Sequence, residues 1–246
     1  HAKGMPEDYV KRAAELGYAE IGISDHGPLW DDSFIRMTEE EYRDIYLPAV
    51  ELTKKRFSDK IKVFSGLEIE YVPGEEKHYE KLRKDLDYLI LGQHFVIRNG
   101  KMIDVFRGLE EASLDTYTDA VVEGMETGYF RILAHPDVFL FNNPRWNEKA
   151  ERVSRRIIET ASRTGVFLEI NANGFRRRKI LNQDGAEVHP YPRKEFWNLV
   201  KEYQNVKILI GEDNHSPDYI GDRAAIKARE FAAELNLQVR ERLFDV

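Results

Sequence analysis

The chain has 246 residues, no cysteine, 37 basic against 44 acidic side chains and a formal net charge of −7. Without thiols it has no disulfide, thiolate zinc site or cysteine nucleophile, so any metal must be held by His, Asp, Glu or water. The acidic balance offers no basic stripe for a nucleic-acid backbone, and no apolar run approaches the roughly 18 residues of a membrane span or marks a signal peptide, so the expectation is a cytoplasmic protein with no nucleic-acid or membrane partner. Oligomeric state is left open.

In chain order, Pro6 with Glu7 and Asp8 predicts the first turn of a helix that Gly17 closes. Short apolar runs then alternate with longer amphipathic segments. The runs are AEIGIS (19–24), IKVFSGLEIE (61–70), YLILGQHFV (88–96), RILAHPDV (131–138), VFLEINAN (166–173) and VKILIGEDN (206–214). Unbroken hydrophobicity in such runs predicts parallel strands buried on both faces. Helices are expected near 38–57, 75–84, 113–127, 147–164, 193–203 and 221–235, as parallel neighbours require. A helix ahead of the first visible strand calls for one more strand before it, making seven βα units in a single domain over residues 1–246. The pattern is that of an α/β barrel with its site at the C-terminal ends of the strands.

Four histidines, His26, His94, His135 and His215, lie at or beside such strand ends, together with Glu68 and Asp213. Any one of them alone reads more readily as a hydrogen-bonded structural residue. Six such groups converging on one mouth from five strands read as a multinuclear metal site. Glu68 sits in an apolar run, where a carboxylate needs a cation or a buried Arg or Lys partner. Asp25 and Asp137 are expected to orient the adjacent imidazoles or to cap helices. Glu70 shares the face of Glu68 and is open to a peripheral binding role or a surface ion pair, while His78 reads as solvated and His189 as structural. The one basic cluster, RRRK at 176–179, suits an anionic group on a small molecule or a solvated loop.

The ordered set HAKG, PEDYVKRAAELG, ISDHGP, GLEIEY, GQHF, AHPD, EINANGFRR and GEDNH resembles the polymerase and histidinol phosphatase (PHP) superfamily, in its histidinol-phosphatase branch. The resemblance implies a distorted (β/α)7 TIM-like barrel whose strand ends hold three divalent metal ions of zinc, manganese or iron. It places metal ligands at His1, His26, Glu68, His94, His135, Asp213 and His215. Glu68 would bridge two ions, with His94 and His135 on one and Asp213 on the other. The third ion would take His1, His26 and His215. The family pattern HxHxxxxxH makes His1 its third histidine and implies a His-X-His pair on a strand ahead of it; the alternative is an artificial leader ending before Met5. Glu68, Asp213 and His215 are the implied catalytic residues, and Arg176, slightly ahead of Arg177, the implied phosphate contact. The implied substrate is a small-molecule phosphate ester, L-histidinol phosphate in histidine biosynthesis, with Glu70 and Asp104 as candidates for its cationic end. Alternatives are a PHP phosphoesterase acting on a nucleotide or phosphotyrosine, metal-dependent C–N hydrolysis on a related barrel, and a non-catalytic metal-binding module.

Overall fold

The computed structural model describes residues 2–29, 36–142 and 145–244. Ten strands are present there: β1 (Glu20–His26), β2 (Lys62–Ile69), β3 (Tyr88–Leu91), β4 (Phe95–Arg98), β5 (Lys101–Asp104), β6 (Ile132–Leu133), β7 (Phe167–Asn171), β8 (Ile180–Leu181), β9 (Glu187–Val188) and β10 (Ile208–Gly211). Six of them form one parallel sheet in the order β1-β2-β3-β6-β7-β10. This is the α/β barrel architecture that the alternating runs predict, with six of the seven expected strands among the described residues.

Residue types fix which face is which, because side chains alternate along a strand. On β2, Leu67 and Ile69 point outward to the large core that also holds Val50, Leu82, Val121, Ile157, Ile158 and Trp197 of the surrounding helices. Phe64, Tyr88, Ile90, Ile132 and Phe167 point inward and pack together as an apolar floor inside the curl. One step further along the same inward columns come His26, Glu68, Glu169 and the residues that follow β3, β6 and β10. The sheet therefore carries hydrophobic layers below and polar groups at its C-terminal mouth.

The helices follow their sequence signals closely. Pro6–Glu15 begins with Pro at its first turn, and the Asp8 carboxylate accepts from Met5 N at 2.8 Å. Glu148–Thr164 is capped by Asn147, whose side chain accepts from Ala150 N, and ends at Gly165 with φ 73°. No described helix is long and apolar enough to cross a membrane.

One expectation needs correction, and one element was not anticipated. The run 88–96 does not continue as one strand: β3 stops at Leu91, and Phe95 opens the antiparallel hairpin β4–β5. The segment 180–188 folds into a second small hairpin, β8–β9. Both turn on local pairing between short segments, which a scan for buried parallel strands overlooks.

Candidate metal centre

His26 and Glu68 are register partners on β1 and β2, so adjacent strands deliver them side by side. The Glu68 carboxylate leans over Gly92 just beyond β3, where a Cβ would lie 2.2 Å from Oε1. Glycine there is a steric requirement of the site. His94 follows Gly92 by two residues, and His135 follows β6 with φ 33°.

These side chains face one another. His94 Nε2 and His135 Nε2 are 3.2 Å apart. Glu68 Oε1 lies 3.2 Å from the first and 3.3 Å from the second, and Glu68 Oε2 lies 3.8 Å from His26 Nδ1. The far side of the His94 ring is fixed: its Nδ1 is 2.9 Å from Glu70 Oε1, which holds a proton on Nδ1 and turns Nε2 toward Glu68 and His135. Two imidazole nitrogens and a carboxylate oxygen then crowd together, an arrangement that protons or a cation between them would stabilise. A tetrahedral ion with bonds of about 2.0–2.1 Å separates its ligand atoms by roughly 3.3 Å. The donor set and spacing thus fit a divalent cation. His26, Glu68 and His94 together meet the spacing of a metal-binding group.

The charges agree with that reading. Burial alone would raise the Glu68 carboxyl, yet His94, His135 and His26 hold it well below the usual carboxylate range. Burial lowers the His94 imidazole, but Glu68 and Glu70 outweigh it and push it up to about 10. Glu70 is 0% exposed and takes both arms of Arg36, at 2.6 and 2.5 Å. This corrects the expectation of a peripheral or substrate-facing Glu70: its carboxylate is spent on Arg36 and His94. Asp104 likewise caps a helical turn, accepting from Phe106 N at 2.8 Å.

Across the mouth the arrangement is more open. Asp213 follows β10 with φ 47°, and its Oδ1 is 3.5 Å from His215 Nδ1. Asp213 Oδ2 accepts from the amides of Asn171 at 3.2 Å and Asn173 at 3.1 Å. Behind them stands Glu169, buried on β7, with its carboxyl raised to about 7 by burial and then by Asp213. A cavity of about 960 Å³ is bordered by β1, β10, His26, Glu68, Glu169, Asp213 and His215. Lys3 N donates to His215 O at 3.0 Å, bringing the start of the described chain to this edge. His1 lies outside the described residues.

The two arginines part company. Arg176 donates to Asp222 through Nε and Nη2 at 3.0 Å each, to Glu212 O at 2.6 Å and to Asn214 Oδ1 at 2.8 Å. It is a latch on the loop that carries Asp213 and His215. Arg177 is exposed, with its guanidinium 5.8 Å from the Phe106 ring centroid. That ring stacks on His94 at 5.8 Å and meets His135 edge-on at 6.3 Å.

Other residues settle into supporting roles. Asp25 accepts from His26 N at 2.7 Å, and buried Asp137 accepts from Arg193 N at 2.6 Å. His78 is half-buried, with Nε2 2.8 Å from Pro28 O, and not the solvated residue expected from its helix. His189 packs edge-on against Phe175. Sequence reasoning missed Arg36, Glu169 and Asn171. A period-two count along EINAN does place Glu169 and Asn171 on one face.

A family profile described as the PHP domain matches residues 1–173. A "Probable histidinol-phosphatase" from Deinococcus radiodurans is 26% identical over 246 residues, covering 94% of this chain and 87% of that protein. A "Probable phosphatase" from Acetivibrio thermocellus is 27% identical over 231 residues, covering 90% and 77%. Among solved structures, the histidinol phosphate phosphatase of Lactococcus lactis in complex with zinc, L-histidinol and phosphate matches with a TM-score of 0.70 at 17% identity, covering 97% of this chain and 90% of that one. That likeness extends the shared fold over nearly the whole chain.

Proposed function

We propose, from the premise that this chain belongs to the PHP domain family, that its metal centre serves a phosphomonoesterase specific for L-histidinol phosphate, releasing L-histidinol and inorganic phosphate. The chain is a phosphatase-type hydrolase. The observation that carries the reading is the facing set Glu68, His94 and His135, whose ligand atoms stand 3.2 to 3.3 Å apart. Relatives named for histidinol phosphate support the substrate.

Glu68, His94 and His135 would hold one ion, with His26 against the second oxygen of Glu68. Asp213 and His215 would serve the open side, where His1 joins them by the resemblance alone. Three divalent ions complete the set; zinc, manganese and iron all suit imidazole with carboxylate. Such cations would supply Lewis-acid charge for the phosphoryl oxygens and a water acidic enough to ionise near neutral pH.

The remaining work falls to the chain. Arg177, on the aromatic surface of Phe106, would grip a phosphate oxygen by charge-assisted hydrogen bonds. Arg176 steadies the loop of Asp213 and His215 through Asp222 and Asn214. Phe106, Phe141 and Tyr191 wall His94 and His135 on one side and exclude water there.

Relatives named simply as phosphatases favour a second reading, a PHP phosphoesterase acting on another small phosphate ester such as a nucleotide or phosphotyrosine. Turnover of L-histidinol phosphate is measured beside a panel of phosphomonoesters. A preference of at least about tenfold in kcat/KM upholds the specific assignment, and a flat profile replaces it with the general one. Fewer than about two bound ions per full-length chain would contradict a multinuclear centre.

A further inference from the structure

β7 lies between β6 and β10 in the sheet, and the ligands flanking it, His135 after β6 and Asp213 after β10, both adopt left-handed backbone conformations. Neither is glycine. A left-handed conformation is unfavourable for an ordinary residue, so something must hold it.

One connected group of side chains reaches both. Glu169 Oε2 accepts from His135 N at 3.1 Å and from Asn171 Nδ2 at 2.8 Å. The same Asn171 amide nitrogen donates to Asp213 Oδ2 at 3.2 Å, and Asn171 Oδ1 accepts from Asn173 N at 2.9 Å. Both donors of the Asn171 amide are therefore used, and its two hydrogens join two carboxylates that would otherwise repel. Glu169 Oε1 occupies the space where a Cβ on residue 211 would lie, 1.6 Å away. Gly211 leaves that space open.

We propose that Glu169, acting through Asn171, is a positioning residue that locks His135 and Asp213 together, so that one buried carboxylate–amide bridge on β7 sets both flanking ligands of the metal centre. The proposal rests on the metal-centre reading above. Glu169 makes no claim on an ion in this role. It offers one acceptor oxygen to a backbone N–H and to an amide.

That division yields a test. Glutamine at 169 keeps an acceptor oxygen in place, whereas alanine removes it. Co(II) uptake by the full-length protein is followed by its visible absorption and by competition with a chelator, alongside the amide exchange rate at residue 135. Glu169→Ala is expected to weaken Co(II) binding by about 10- to 100-fold and to speed exchange at that amide, while Glu169→Gln stays within a few-fold of wild type. Asn171→Asp, of nearly unchanged size, sets three carboxylates together and is expected to weaken binding comparably; it serves if the alanine variant does not fold. A Glu169→Gln variant as defective as alanine overturns the proposal, because charge or ligation would then be what Glu169 supplies. Normal Co(II) binding by Glu169→Ala or by Asn171→Asp overturns it as well. Wild-type protein that takes up no Co(II), with Glu68→Gln no different, overturns the metal-centre reading together with the bridge, whereas a loading wild type beside unaffected variants overturns the bridge alone.

Discussion

On one side of the mouth, Glu68, His94 and His135 touch one another, with side chains 15%, 15% and 3% exposed, and Glu70 and Arg36 close behind them. On the other side Asp213 and His215 are 22% and 34% exposed and face the cavity, and neutral amides hold Asp213. The dry side gathers ionised groups in low dielectric, where they are costly unless a cation completes them. The open side is fixed instead by the amides on Asp213 and by the Arg176 latch on its loop. On the proposed reading, the first side would retain an ion and the second would meet substrate.

The widest gap between the two sides should appear on removing the shared carboxylate. Glu68→Gln is expected to lower kcat by on the order of 10³-fold or more and to reduce bound metal, as measured by elemental analysis of the purified protein. A variant retaining full metal content would place the ion elsewhere.

The dry side also predicts a pH dependence in protein stripped of metal. The His94 imidazole is raised to about 10 from an ordinary 6.5, so its protonated form favours the folded state. That stability is fully present below about pH 6.5 and is lost as pH rises through 10. Melting temperature should fall across this window in the metal-free protein, and His94→Ala should flatten the fall.

Glu70 sharpens the same contrast. Glu70→Gln leaves Arg36 without its carboxylate and His94 without a charged orienting partner. Breaking such a buried pair should cost about 3 kcal/mol by denaturant titration and weaken metal binding by about 10-fold.

On the open side the arginines separate. Arg177→Ala should raise KM for the phosphate ester by about 10-fold with little change in melting temperature, a loss typical of one charge-assisted contact. Arg176→Ala should lower melting temperature, because it frees Asp222 and the loop of Asp213 and His215. The smallest effect is expected far from the mouth. Asn147→Ala removes a helix cap, costing about 1 kcal/mol with metal content unchanged.

The sequence by itself determined the alternation of strands and helices and the chemical identity of six described groups at the mouth. Both are local properties. A run such as FSGLEIE encodes in its period of two which side chains face inward, and the strand's end encodes how high they sit. His26, Glu68, His94, His135, Asp213 and His215 were legible for that reason. Tertiary structure alone decided which residues those groups meet: that Glu70 is buried against Arg36, that Arg176 is consumed by Asp222 while Arg177 lies over Phe106, and that Glu169 reaches His135 directly and Asp213 through Asn171. Each of those contacts joins elements distant in the chain, and Gly211 leaves open the space that Glu169 fills. Spacing along one strand carries no information about the side chain that a neighbouring strand brings into the same space, and packing in three dimensions supplies it.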